Sequence, residues 1–283
     1  MLTSLSLSDS LLNQTARTLP AAPQVLASLS ELLEDTNAGI EDIVELLKRD
    51  AALCVRVISV SNSIAFGGGS SSSIDEAVSR IGFSEIFRLV GLATTAHLAD
   101  RALVCYGVEA DRLREHILCT ALACEALAEL TDLDTRRLYT TGLLRNVGMM
   151  VLDRIARQHL LPVPVYAHAQ FGSYQTWEEQ VFDRHNNDVA ALLLKQWKFS
   201  PEIITAVRHQ FLLEESDLQH RPAVVLNLAG WVANSCGHAL PGEQEHWAWS
   251  EQKLAAVGLD EMQMRVAVTE TSARFERLKA ALY

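Results

Sequence analysis

Residues 142–152 read GLLRNVGMMVL, a guanidinium and an amide set in a run of glycine and aliphatic side chains. Arg145 stays protonated and offers N–H donors only, so it can hold an anion but repels a metal ion. Gly142 and Gly148 each cost about 1 kcal/mol against alanine inside a helix, so they are expected where helices approach closely. Three other stretches could carry chemistry. FGGGSSSS, residues 66–73, could present backbone amides to a phosphate. It lacks the GK[ST] ending of a P-loop and follows no strand, so a flexible surface loop is expected instead. Cys119 and Cys124 offer thiols, but no base with an orienting partner accompanies them, and their small neighbours suggest core. HWAWSEQ, residues 246–252, sets Trp247 beside Trp249. Those indoles could anchor a partner protein or clamp the last helix onto the body, and the sequence leaves both open.

The surroundings of these residues exclude several function classes. The 283-residue chain carries a formal charge of −11, with 24 Lys and Arg against 35 Asp and Glu. That balance repels nucleic acid and anionic lipid, and no basic run offsets it. No apolar stretch approaches the roughly 18 residues needed to cross a bilayer, and the N-terminus has no basic n-region. Five cysteines without a CxxC pair fit core thiols in a reducing compartment. A cytoplasmic protein is expected, without nucleic-acid or membrane partners.

The elements that must position these residues read as helices. Pro20 and Pro23 precede Val25, Leu26, Leu29, Leu32 and Leu33 at helical spacing, and Asn37-Ala38-Gly39 ends that run. Ile43, Val44, Leu46 and Leu47 give a short apolar face. Asp50 can cap a helix faced by Leu53, Val57 and Val60. Ser73 and Glu76 have capping-box spacing, as do Thr176 and Glu179. Gly82 stops one helix and Ser84 can cap the next, faced by Ile86, Leu89, Val90 and Ala93. The pattern breaks at Cys105-Tyr106-Gly107. A long segment then aligns Leu113, Ile117, Ala121, Cys124 and Ala128, and Asp134 can cap the helix that carries Arg145. Pro162 and Pro164 interrupt the chain. Ser200-Pro201 combines N-cap and N1 chemistry. Segments 222–235 and 260–281 are helical in pattern. No period-2 run is bounded by hairpin turns, so an all-α fold of packed helices is expected. Its expected parts are an N-terminal helical lobe over 1–107, a second helical lobe over 108–215, and a helical extension over 216–283 that packs on the second lobe.

Four blocks in order carry a family likeness. They are residues 19–68, including Leu19-Pro20, Asp50, Val57, Asn62-Ser63 and the Gly-rich loop; IDEAVSRIG at 74–82; GLLRNVGMMVL; and HNNDVAALLLKQWKFSPEIITAVRHQF at 185–211. This series resembles the HDOD (HD-related output) domains, relatives of the HD and HD-GYP phosphohydrolases in which metal ligands have been lost. The likeness spans about residues 19–215 and implies a multi-helical HD-like fold in a bacterial signalling output or scaffold module.

The resemblance also implies where the hydrolase ligands would have stood. The first His falls near His116. The His-Asp pair falls on Arg145 and Asn146, and the Lys that often follows falls on Met149. The next His falls on His185, a His-His pair on His209 and Gln210, and the final Asp on Gly230. Three imidazoles remain, and both carboxylates are gone. A two-metal centre needs those carboxylates to hold two dications close together. A unit charge beside Arg145 at about 4 Å would meet roughly 4 kcal/mol of repulsion at an effective dielectric near 20, and a dication twice that.

His116, Arg145, Asn146, His185, His209 and Gln210 are therefore expected to form a cationic pocket for an anion, or to be packing residues with Arg145 tied to a nearby acid such as Glu178, Glu179 or Asp188. No catalytic residue, metal or cofactor is expected. The implied function is a non-catalytic regulatory module that binds a signalling partner or a small anionic signal such as a nucleotide. No receiver or cyclic-dinucleotide domain is legible beside it, so input is expected through a separate partner. The competing reading is a residual metal-dependent phosphohydrolase or cyclic-dinucleotide phosphodiesterase built on His116, His185 and His209.

Overall fold

The computed structural model describes residues 7–16, 25, 27–28, 31–32, 39–63, 66–81 and 83–279. The expected helix behind Pro20 and Pro23 lies largely outside them, as does the stop at Gly82. Among the described residues there is no strand, only an isolated antiparallel bridge between Leu103 and Val108. No helix there is long and apolar enough to cross a membrane.

The N-terminal part holds α1 (Asp9–Ala16), α2 (Ile40–Lys48), α3 (Ala51–Ser61), α4 (Ile74–Ile81) and α5 (Phe83–Leu98). The apolar faces read from spacing are the buried ones: Ile43, Val44, Leu46 and Leu47 on α2, Leu53, Val57 and Val60 on α3. Asp50 caps α3, its carboxylate accepting from Leu53 N at 3.0 Å. Position 84, read as a cap from the sequence, falls within α5, which begins at Phe83. The Gly-Ser loop lies at the surface, as its composition suggests, with its Ser71 end anchored. Asn62 exchanges two 2.8 Å hydrogen bonds with the Ser71 backbone, and Arg80 reaches Ser61 O at 2.6 Å and Ser71 Oγ at 3.0 Å.

The central element is α6 (Ala110–Ala128), buried on nearly every side from His116 to Ala128, as a helix enclosed by others must be. Against it pack α7 (Thr135–Leu144), α13 (Arg221–Ser235) and α15 (Glu261–Lys279). The last lays Met264, Ala267, Thr271, Phe275 and Leu278 inward, one stripe at 3.6-residue spacing. Glu125 on α6 ties three helices. It accepts from Arg88 Nε of α5 at 2.6 Å and from Arg274 Nη1 of α15 at 3.1 Å.

A second layer holds α8 (Val147–His159), α9 (His168–Phe171), α10 (Tyr174–Phe182), α11 (Asn186–Gln196) and α12 (Pro201–Arg208), followed after α13 by the short α14 (Glu251–Val257). Helix α8 packs on α11, and α1 reaches across to both. The predicted capping pair at Thr176 is displaced by one turn: Ser173 is the N-cap, accepting from Thr176 N. Asp134 caps α7 as its position suggests. The break at residues 105–107 is sewn into this layer. Cys105 N donates to Asp153 at 2.7 Å, and the buried Tyr106 hydroxyl donates to Glu178 at 2.6 Å.

Candidate functional site

The centre of the molecule forms where α7 ends and α8 begins. Arg145 is the C-cap of α7 and Asn146 the N-cap of α8, so both side chains leave the backbone at one junction. Gly148 lets this junction seat against α11. A Cβ there would lie 1.9 Å from the Asn186 carbonyl oxygen. Gly142 does the same against α6, where a Cβ would fall 2.6 Å from the Ala121 Cα. Close approach, the role expected of both glycines, is what the backbone requires.

Arg145 is 1% exposed, and its guanidinium is occupied on every edge. Nε donates to Gln210 Oε1 at 2.7 Å. Nη1 donates to His116 Nε2 at 2.6 Å and to Asn146 Oδ1 at 3.1 Å. Nη2 donates to Glu243 Oε2 at 2.8 Å. The face of Trp247 stands over the cation, 4.8 Å from the guanidinium carbon to the ring centroid. The neutralising acid is thus Glu243, in the C-terminal segment. Glu178, Glu179 and Asp188, the expected partners, are engaged elsewhere.

His116 is held neutral in one tautomer. Its Nδ1 lies 2.7 Å from His238 O and must carry the proton, while Nε2 accepts from Arg145. Burial first, and then the Arg145 charge, hold its pKa well below the ordinary imidazole value. Next to this network lies a second buried carboxylate. Glu178 accepts from Tyr106 Oη at 2.6 Å and Asn186 N at 2.8 Å, and burial pushes its pKa up to about 8.

Four of the six candidate residues therefore converge: His116, Arg145, Asn146 and Gln210. The other two do not join them. His185 is the N-cap of α11, about a third exposed, with Nε2 3.2 Å from Glu179. His209 pairs through Nδ1 with Asp217 at 2.7 Å and stacks near His220, ring centroids 4.7 Å apart. Both histidines line a surface groove of about 220 Å³ together with Arg208 and Phe211.

The residues at the hydrolase ligand positions do not fit a metal centre. His116 Nε2, Asn146 Oδ1, Gln210 Oε1 and Glu243 Oε2 all accept from Arg145, so an ion would have to take those acceptors from a buried guanidinium. At the position of the final Asp, Gly230 is roofed by Trp247, whose ring would lie 2.5 Å from a Cβ. Among the described residues, no group of three or more His, Cys, Asp or Glu side chains could hold a metal ion.

Glu243, His238 and Trp247 were not legible as members of this centre. Of the signals, only the paired indoles of HWAWSEQ pointed here. Trp247 proves to be core, 1% exposed, clamping the C-terminal segment onto Arg145 and Gly230.

Comparison with known proteins agrees with this architecture. The HDOD domain family model matches residues 19–211. A crystal structure of an HDOD domain protein from Geobacter sulfurreducens is 18% identical, with a TM-score of 0.66 over 96% of each chain. A candidate phosphohydrolase from Shewanella amazonensis SB2B is 20% identical, with a TM-score of 0.68 over 97% of this chain and 98% of its own. A candidate signal transduction protein from Marinobacter aquaeolei VT8 is 19% identical, with a TM-score of 0.69 over 96% of this chain and 64% of its own. At these identities the structural likeness speaks for the fold alone. No curated protein matches the chain. With the family model covering more than half of its length, the chain belongs to the HDOD domain family.

Proposed function

We propose that this protein is a bacterial regulatory module that works by binding a signalling partner and does not turn over a phosphate ester. One observation carries the reading: Arg145, at the position that the family resemblance gives to a metal-binding His, is buried and paired with Glu243 beneath Trp247. Water activation needs a dication with an open coordination position. Here a fixed cation takes the available acceptors, and the indole closes the site. A protein of like fold is described as a candidate signal transduction protein, which fits a signalling context.

The test uses full-length protein purified without chelator. Elemental analysis should find Mn, Fe and Zn far below one equivalent. Bis-p-nitrophenyl phosphate and cyclic dinucleotides should not be cleaved above the buffer rate with added Mn²⁺. A stoichiometric metal that is lost in His116→Ala, together with turnover, overturns the proposal.

A small anionic signal is the second reading, and it attaches to a different place. Arg145 is sealed from solvent, but Arg101, Arg154 and Arg157 line an open notch of about 220 Å³ where residues 100–103 meet α8, together with Asp100 and Asp153, which stand 3.8 Å from Arg101 and 3.6 Å from Arg157. Guanidinium groups suit phosphate. Pyrophosphate or a nucleoside triphosphate should raise the melting midpoint of the wild type and not of Arg154→Ala/Arg157→Ala. An equal response in both proteins, or none in either, removes this reading.

A further inference from the structure

Among the described residues, three of the eight large hydrophobic side chains that stand exposed lie at one edge of the molecule. They are Val104, Leu161 and Val165, at 46%, 86% and 53% exposure. The chain gathers them past the end of α8. Tyr166 N donates to Cys105 O at 2.7 Å, which sets Val165 beside Val104. Leu161 stands two residues after α8 closes at His159, in the same loop as Val165. That loop is held in place. Leu160 and Pro164 are buried, the Tyr166 hydroxyl donates to Gly172 O at 2.7 Å, and its ring lies 4.5 Å from that of Tyr174. The aliphatic groups are therefore presented to solvent by an ordered backbone, which lowers the entropy lost when a partner covers them.

The arginine notch opens along the same edge. Its lining runs from residues 100–103, which lead into Val104, to Arg157 and Gln158, which lead toward Leu161. Three guanidinium groups share it with two carboxylates. One of those, Asp153, is buried and accepts from Cys105 N at 2.7 Å, whereas Arg101 and Arg157 are exposed. The rim is positive on a chain whose formal charge is −11. An exposed aliphatic patch edged by arginine has the make-up of an interaction surface.

Resting on the reading of the chain as a partner-binding module, we infer that this edge docks an acidic, apolar segment of a partner protein. Apolar side chains of the segment cover Val104, Leu161 and Val165, and a Glu or Asp carboxylate takes Arg101 or Arg157. A free phosphate would use the guanidinium groups alone and leave the aliphatic side chains in water. The sign of the notch selects against basic segments, which Arg101 and Arg157 repel.

The experiment pans a random dodecapeptide library displayed on phage against the full-length protein. The expected selection combines Asp or Glu with Leu, Ile or Phe. A selected peptide, made synthetically, should bind at least about tenfold more weakly to Leu161→Ser/Val165→Ser and to Arg101→Gln/Arg157→Gln, and within about twofold of the wild type to Met262→Ser, which alters an exposed side chain on α15. On the wild type alone, raised salt should weaken the same peptide. A selection of basic peptides, or none, overturns the inference. Acidic peptides that bind both double variants as well as the wild type place the contact elsewhere; they overturn this surface and leave the partner-binding role standing. Two further outcomes also overturn it: self-association of the chain that Leu161→Ser/Val165→Ser abolishes, which makes the occupant a second copy, and stabilisation by pyrophosphate through Arg157 with no peptide selected, which gives the notch to a free anion.

Discussion

Arg145 Nη2 stands 2.8 Å from Glu243 Oε2, with both side chains 1% exposed and 98 positions apart in the chain. The family match ends at residue 211, so the charge at the heart of the HDOD fold is neutralised from outside the matched segment. A buried cation stripped of its partner is strongly destabilising, whereas an apolar pair of similar volume often is not. The C-terminal segment is therefore part of the folding unit.

Glu243→Ala should lose about 3–5 kcal/mol of unfolding free energy by leaving Arg145 uncompensated. Arg145→Met/Glu243→Met should recover most of that loss, because no buried charge remains. Urea denaturation of the single and double variants gives the coupling directly. Additive losses would show that the pair is not the feature that matters.

Ending the chain after residue 239 should abolish cooperative unfolding. The deletion removes Glu243 and Trp247 from Arg145 and takes Met264, Phe275 and Leu278 off α6. Each of those apolar side chains contributes on the order of 1.5–3 kcal/mol when buried. Near-UV circular dichroism and a thermal scan of residues 1–239 are the readout, and a sharp native-like transition would contradict the expectation.

Stability should carry a pH signature from Glu178. Burial raises its carboxyl from the ordinary 4.5 to about 8, while hydrogen bonds from Tyr106 and Asn186 limit the rise. A raised carboxyl binds a proton in the folded state that the unfolded chain has released. Its contribution is complete below about pH 4.5 and is lost as the pH rises through about 8. His116 has the opposite sign: held well below 6.5, it favours the fold above that value and weakens it as the pH falls. Glu178→Gln should therefore cost most near pH 5, and its penalty should shrink by at most about 1.4 kcal/mol per unit toward pH 8. A penalty that stays constant over that range would refute the assignment.

Gly148→Ala should be the most damaging of the glycine substitutions. Its Cβ would meet a backbone oxygen at 1.9 Å, which no side-chain rotation relieves. A loss of about 3 kcal/mol, at the upper end for overpacking, is expected in urea. Gly69→Ala meets the flexible end of Arg80 and should cost less.

Much of this protein was determined by its local sequence. Helices, their apolar faces and the caps at Asp50 and Asp134 follow from spacing and side-chain chemistry over a few residues. The glycines of GLLRNVGMMVL likewise announced close contacts before their partners were known. The start read at Thr176 was a local ambiguity, because Ser173, one turn earlier, offers the same capping chemistry. What the sequence could not determine was which acid would meet Arg145, and which histidines would meet each other. Glu179 and Asp188 lie nearer in the chain, yet Glu243 is the partner, because α13 runs along α6 and returns the following loop to the α7–α8 junction. His185 and His209 share the motif with His116 but end on the surface, because each caps a helix whose terminus faces outward. Distances between residues a hundred positions apart are set by how helices pack, and only the tertiary structure could turn a list of candidate ligands into a closed, charge-balanced core.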